Sequence, residues 1–211
     1  MRQALRLLRR AVRYELGMWV SLFRWIARRP ARGRDARTFG YASAVTPLLG
    51  AFIGVSAIEL PILHLVLPWE PVRIAADALG CYGLFWMLGL LASFRVNPHA
   101  VSPEGLRIRH GASVDVLVPW DAVASIRRKY RSASGARGIR VADDLLQLVI
   151  GGQTSVDVDL REPILVRLPA GDSPPLTRLR FHADDADALA AAARAHLPVT
   201  LPTVKQTPGR S

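Results

Sequence analysis

The 211-residue chain has almost no cysteine and almost no lysine. Its one thiol, Cys81, excludes an intrachain disulfide and leaves a cysteine-built zinc site without ligands. Lysine occurs only at Lys129 and Lys205, so the basic residues are nearly all arginine. With abundant alanine, that bias points to GC-rich coding and a bacterial source. The motifs of catalysis are missing too: there is no nucleophile elbow, phosphate loop or zinc motif. Gly135 and Gly138 do not stand between a strand and a helix with a following Lys-Ser or Lys-Thr pair, which removes phosphate cradling. No catalytic residue, metal or cofactor is expected.

Apolar sequence is what the chain has in quantity. Two long runs, Tyr41 to Leu67 and Ile74 to Phe94, flank a short turn around Pro68 and Pro71. Apart from the border Tyr41, the first holds only Glu59 and His64 as ionisable groups, and the second has Asp77 as its one formal charge. At about 1.5 Å per residue, each is long enough to cross a hydrocarbon layer of about 30 Å. Backbone groups in lipid must be satisfied internally, so such spans are helical, and so short a linker makes them an antiparallel hairpin. The net charge of +11 would suggest nucleic acid in a soluble chain, but eleven arginines precede Phe39 while the turn offers only Glu70 and nearby Arg73. The positive-inside rule then predicts a multi-pass protein of the plasma (inner) membrane with both termini cytoplasmic. A signal peptide is rejected because Arg6, Arg9, Arg10 and Arg13 interrupt the early apolar run and no small-residue cleavage site follows.

Residues 1–40 read as a basic amphipathic helix and a linker. Over Met1 to Arg29, Arg2, Arg6, Arg9, Arg10, Arg13, Arg24 and Arg28 share about a third of the circumference, while Leu8, Val12, Trp19, Leu22, Phe23 and Ile26 lie opposite. Such a helix is expected in the cytoplasmic leaflet's surface, with Arg6, Arg10 and Arg13 on anionic headgroups and Trp19 sunk among them. The competing reading packs it on the later domain as a soluble amphipathic helix. Glu15 interrupts the apolar sector and either pairs with an arginine or marks a protein contact. Pro30 ends the helix, and residues 31–37 form a short basic linker.

Within the apolar runs, Gly50 and Gly54 make one smooth stripe and Ala76, Gly80 and Gly83 another. They are expected to pack the two helices together, with homodimerisation through Gly50 and Gly54 as runner-up. His64, Asp77 and Glu59 all fall in the outer half. Arg73 and Asp77 stand four apart on one face and are expected to pair, leaving Glu59 protonated or bonded to His64. The alternative makes Glu59, His64 and Asp77 a proton relay or ligand site of an oligomeric transporter or intramembrane enzyme. Pro61 is expected to kink the first span.

Beyond Arg95 the period changes to alternation. Leu106 and Ile108 alternate with Arg107 and Arg109, Val114, Val116 and Val118 with Asp115 and Leu117, and Val156, Val158 and Leu160 with Asp157 and Asp159. Further strands fit 123–129, 145–150, 163–168 and 176–181, with a mobile loop between Arg131 and Val141. A helix over Asp184 to Leu197 should bury Leu189, Ala193 and Leu197, and residues 198–211 read as a disordered tail. About seven strands and one C-terminal helix, with Val101-Ser-Pro-Glu-Gly-Leu-Arg-Ile-Arg-His-Gly111 leading to Val118-Pro-Trp-Asp-Ala-Val-Ala-Ser-Ile126, resemble the bacterial PH-like domains of small membrane proteins. The resemblance covers about residues 97–197. It implies an α+β membrane protein in which a curved antiparallel sheet is capped by the last helix.

The basic run Arg127, Arg128, Lys129 and Arg131, with Arg137 and Arg140 across the loop, is the best surface candidate for anionic headgroups or a protein partner. Apart from Tyr130 it lacks aromatic stacking partners, which disfavours nucleic acid. His99, His110, His182 and His196 read as surface histidines, and Asp157 and Asp159 as solvent-facing. The expected function is non-enzymatic: a cytoplasmic binding or scaffolding domain held at the lipid bilayer.

Overall fold

The computed structural model describes residues 2–28, 35–133, 138–169 and 171–197. Helix α1 is Arg2–Ile26, strand β1 is Arg37–Phe39, and helices α2 and α3 are Thr46–Val66 and Glu70–Val96. Strands β2 to β4 follow at His99–Ser102, Gly105–His110 and Val114–Val118. Strands β5 to β8 are Val123–Ser132, Gly138–Ala142, Leu145–Val149 and Gln153–Ile164. Strands β9 to β11 are Arg167–Leu168, Gly171–Asp172 and Leu176–Phe181, and helix α4 is Ala186–Arg194. The chain is thus α+β, with two long apolar helices, curved sheets and a C-terminal helix. The expected tail, and Pro30 with most of the linker, lie outside the described residues.

Two sheets share one core. The first has the order β1-β2-β3-β4 and is antiparallel throughout. Its presence corrects the expected linker: Arg37, Thr38 and Phe39 pair with Val101, Ala100 and His99, so residues preceding the apolar hairpin supply an edge strand to the sheet that follows it. The second sheet has the order β5-β8-β11-β7-β6. Here the wholly antiparallel expectation fails, because β7 and β11 are parallel. β7 runs into the Gly151-Gly152 turn and β8 runs out of it, and the two diverge. β11 fills the gap, antiparallel to β8 and therefore parallel to β7. Strand β6 occupies the end of the stretch expected as a loop, with Ile139 and Val141 packed on the core.

Alternation places the core as expected. Val114 and Val118 are buried while Asp115 and Leu117 face out, and Val156, Val158 and Leu160 point inward to meet Phe181 and Leu179. Helix α4 closes this core with Leu189 and Ala193, and each Leu so buried is worth about 2 kcal/mol. Its N-cap is Asp185, whose side chain accepts the Ala188 N–H at 2.9 Å. Gly105 sits at φ +152°, where a Cβ would lie 2.4 Å from the Val118 carbonyl oxygen, so the β2–β3 turn requires glycine.

The hairpin is built differently from its sequence expectation. α2 begins at Thr46, so Tyr41 to Val45 belong to the sheet domain's edge rather than to the helix, and α2 continues through Pro61. None of the 21 residues of α2 is buried. The close approach between α2 and α3 is at Gly80, where Leu60 fills the space above the glycine. Gly50 and Gly54 face open space, so they do not pack the pair together. α2 and α3 are each long and apolar enough to cross a membrane. Only the last turns of α3 are buried, at Gly89, Leu91, Ala92, Ser93 and Val96.

Candidate functional site

The molecule is held together at the β3–β4 turn, residues His110 to Ser113, where α1, the end of α3, Tyr41 and the first sheet converge. Gly111, at φ +54°, turns its amide toward Tyr41 and donates to the phenol oxygen at 2.8 Å. The Tyr41 ring packs edge-on to Phe94 at the end of α3 and lies 4.5 Å from the ring of His99. One residue on, Ala112 meets Gly17 of α1, where a Cβ on the glycine would sit 3.0 Å away. α1 itself packs Met18 against Gly89 of α3, and the Arg95 guanidinium lies over the Trp25 ring. Glu15 accepts a hydrogen bond from the Tyr82 hydroxyl, which answers why a carboxylate interrupts the apolar sector of α1.

His99 is the centre of this junction. Its Nδ1 accepts the Arg109 N–H at 3.1 Å and its Nε2 lies 2.9 Å from the His182 carbonyl oxygen. A backbone amide can only donate and a carbonyl can only accept, so the ring is held neutral with its proton on Nε2. Burial pushes its pKa down to about 3. Burial also lowers His110 to about 4, lowers His182, and raises Tyr41. The expectation of surface histidines is therefore corrected for His99, His110 and His182, all of which are buried. His196 instead stacks on Trp120, with ring centroids 5.0 Å apart. The linker is sewn to the same region: Ser43 donates to Asp184 at 2.5 Å, and the Asp184 N–H donates to the Gly40 carbonyl at 2.9 Å.

The basic run on β5 is largely matched by acid. Arg127 pairs with Asp159, Arg128 lies 3.0 Å from Asp187 and over the Tyr130 ring, and Arg131 lies 3.2 Å from Asp157. Lys129 has no acidic partner among the described residues. Asp157, expected in solvent, is buried between Arg131 and Arg180. Arg137 lies outside the described residues, and Arg140 is exposed on β6. Asp144 is held down at about 2 by Arg178 and by the Thr177 hydroxyl.

In the hairpin, His64 Nδ1 meets Asp77 Oδ2 at 2.6 Å, so Asp77 pairs across to α2 and the expected Arg73–Asp77 pair is replaced. Glu59 is exposed on α2 and has no partner among the described residues, so it joins neither. On α1, Trp19 is exposed, and Arg13 lines a cleft against the sheet domain; the side chains of Arg6 and Arg10 lie outside the described residues. Among the described residues no cluster of histidine, cysteine and acidic groups could hold a metal ion. Comparison with protein-family models, curated proteins and solved structures finds no match for the chain.

Two features had no periodic signal to reveal them. The role of Tyr41 depends on a hydrogen bond to a residue 70 positions away, and Arg167 joins Arg13 only through the fold.

Proposed function

We propose that the chain is a non-enzymatic membrane protein whose α2–α3 hairpin crosses the bilayer and holds a PH-like binding or scaffolding module at the inner membrane surface. The observation that carries this reading is the exposure of α2. A soluble protein's apolar core helix is mostly buried, whereas α2 is wholly unburied and follows strand β1 of the folded domain, which also sets it apart from an N-terminal signal segment. An unpartnered apolar surface of that size needs lipid as its solvent. The excess of arginine before Phe39 supports an inner, cytoplasmic placement of the domain and of the segments on both sides of the hairpin. A strand-built core with a C-terminal helix over it agrees with the PH-like resemblance, while the parallel β7–β11 pair departs from an antiparallel sheet. The partners of this module are anionic headgroups and a membrane or cytoplasmic protein, met by Lys129 and its neighbours Arg127, Arg128 and Arg131 and by the exposed face of α1.

The test uses a Cys81→Ser background carrying Lys129→Cys. The protein is expected to stay with carbonate-washed membranes, and the new thiol to react with an impermeant maleimide only after the inner face is opened. Labelling on intact cells, or release into the supernatant, overturns the reading. A second reading, in which several copies assemble around Glu59, His64 and Asp77 as a transporter or intramembrane enzyme, is favoured by one observation: Glu59 is exposed on a helix face with no partner of its own among the described residues.

A further inference from the structure

Between α1 and the sheet domain lies an open cleft of about 450 Å³. One wall is α1, with Arg13 and Leu16; the other is Ser113 from the β3–β4 turn and Arg167 and Leu168 from β9. Neither Arg13 nor Arg167 has an acidic partner among the described residues. The one carboxylate at the rim, Asp115, is already taken: Arg107 grips it through Nε at 2.7 Å and Nη2 at 2.9 Å, and Arg109 approaches to 3.5 Å. Two arginines without an acidic partner among the described residues therefore line one cleft, with Leu16, Leu168 and Pro169 as its apolar surfaces. Leu16 continues into the exposed Leu8, Val12, Trp19 and Phe23, an apolar stripe on α1 that nothing among the described residues covers.

The height of this cleft follows from the junction. The turn that forms its floor is packed on the last turn of α3, with the His110 ring 5.8 Å from Phe94. If α2 and α3 cross the bilayer, that is where hydrocarbon gives way to headgroups. Guanidiniums match phosphate oxygens in planar, bidentate geometry, and the stripe beside them suits an acyl chain. A choline headgroup would bring a third cation beside Arg13 and Arg167 with no free carboxylate to receive it, whereas a headgroup whose only charge is its phosphate would not.

We propose that this cleft binds the phosphate of one anionic phospholipid between Arg13 and Arg167, with an acyl chain along the stripe of α1. This rests on the membrane reading above and adds a lipid class and a site to it. The test is native mass spectrometry of the full chain in mild detergent, titrated with phosphatidylglycerol, phosphatidylcholine or glycerol 3-phosphate. One bound phosphatidylglycerol is expected, preferred over phosphatidylcholine by about 30-fold, the factor two interfacial arginines supply. Arg13→Gln with Arg167→Gln should reduce that preference to within about twofold, and the matching pair of Lys replacements should keep most of it. Both positions are exposed, so these variants should fold. An unchanged preference in the Gln pair overturns the site, and glycerol 3-phosphate binding as tightly as the lipid overturns the lipid assignment. The same variants fractionated with carbonate-washed membranes separate the two readings. Loss of wild type from the pellet removes the hairpin reading, while retention with an unchanged preference in the Gln pair removes only the cleft.

Discussion

At the scale of a residue, His99 links pH to stability with a definite sign. Its folded pKa is about 3 against about 6.5 when unfolded, so the folded state resists protonation. Its contribution is fully present above pH 6.5 and is lost as pH falls toward 3; at pH 5 about 2 kcal/mol is already gone. His110, at about 4, acts in the same direction. Asp144 does not interfere above pH 5, because its contribution is lost only as pH falls from its unfolded value of 3.8 toward about 2. The thermal midpoint in detergent should therefore fall between pH 7.5 and pH 5. His99→Leu would leave the Arg109 N–H and the His182 carbonyl unpaired, costing about 3 kcal/mol, or roughly 10 °C, at pH 7.5. The pH dependence of this variant should also be shallower. A variant as stable as wild type, or as steep in pH, would show that the ring's two hydrogen bonds do not hold the junction.

At the scale of an element, β1 makes the strongest claim, since three residues lying ahead of the hairpin complete a sheet that lies after it. Phe39 is a core residue, and Phe39→Ala should cost about 3 kcal/mol. A fragment of residues 97–197 lacks β1 and Tyr41. It should melt well below a version in which residues 35–45 are joined to its start through a flexible linker, by a difference read in a thermal denaturation series. Equal midpoints would mean that β1 is decoration. The strands with clean alternation, such as β4 and β8, were legible from sequence because period two survives without knowledge of partners. β1 was not: Arg37 and Thr38 are polar, and a three-residue edge strand has no period. Nor were the ion pairs of β5. Arg127 and Arg131 read as free cations until the register places Asp159 and Asp157 beside them on β8. The buried histidines escaped for a related reason. His99, between Pro98 and Ala100 at the edge of a strand, reads as surface until a carbonyl 83 residues away turns out to be its partner.

At the scale of the whole molecule, the α2–α3 hairpin is an insertion between paired strands, and α1 and the β3–β4 turn clamp the end of α3 that meets the sheets, so hairpin and sheet domain form one body there. The half of α2 far from the sheet domain has no such support. Glu59 stands seven residues before the end of the helix, about 10 Å from that end, on a face with no partner among the described residues. Gly50 and Gly54, also open, lie on nearly the opposite side at 100° per residue. A carboxyl exposed to hydrocarbon costs about 2.5 kcal/mol or more if charged, and a neighbouring span that accepts or donates a hydrogen bond removes much of that penalty. A second copy is the partner always present at the required depth. With Cys81→Ser as background, Glu59→Cys should form an oxidised dimer in native membranes, well above the yield at Leu79→Cys, which is exposed on α3. Glu59→Leu should in turn weaken association of copies in detergent. If Glu59→Cys crosslinks no better than Leu79→Cys, and Glu59→Leu leaves the assembly unchanged, then the carboxyl has no second copy beside it, and the oligomeric centre of Glu59, His64 and Asp77 loses its support.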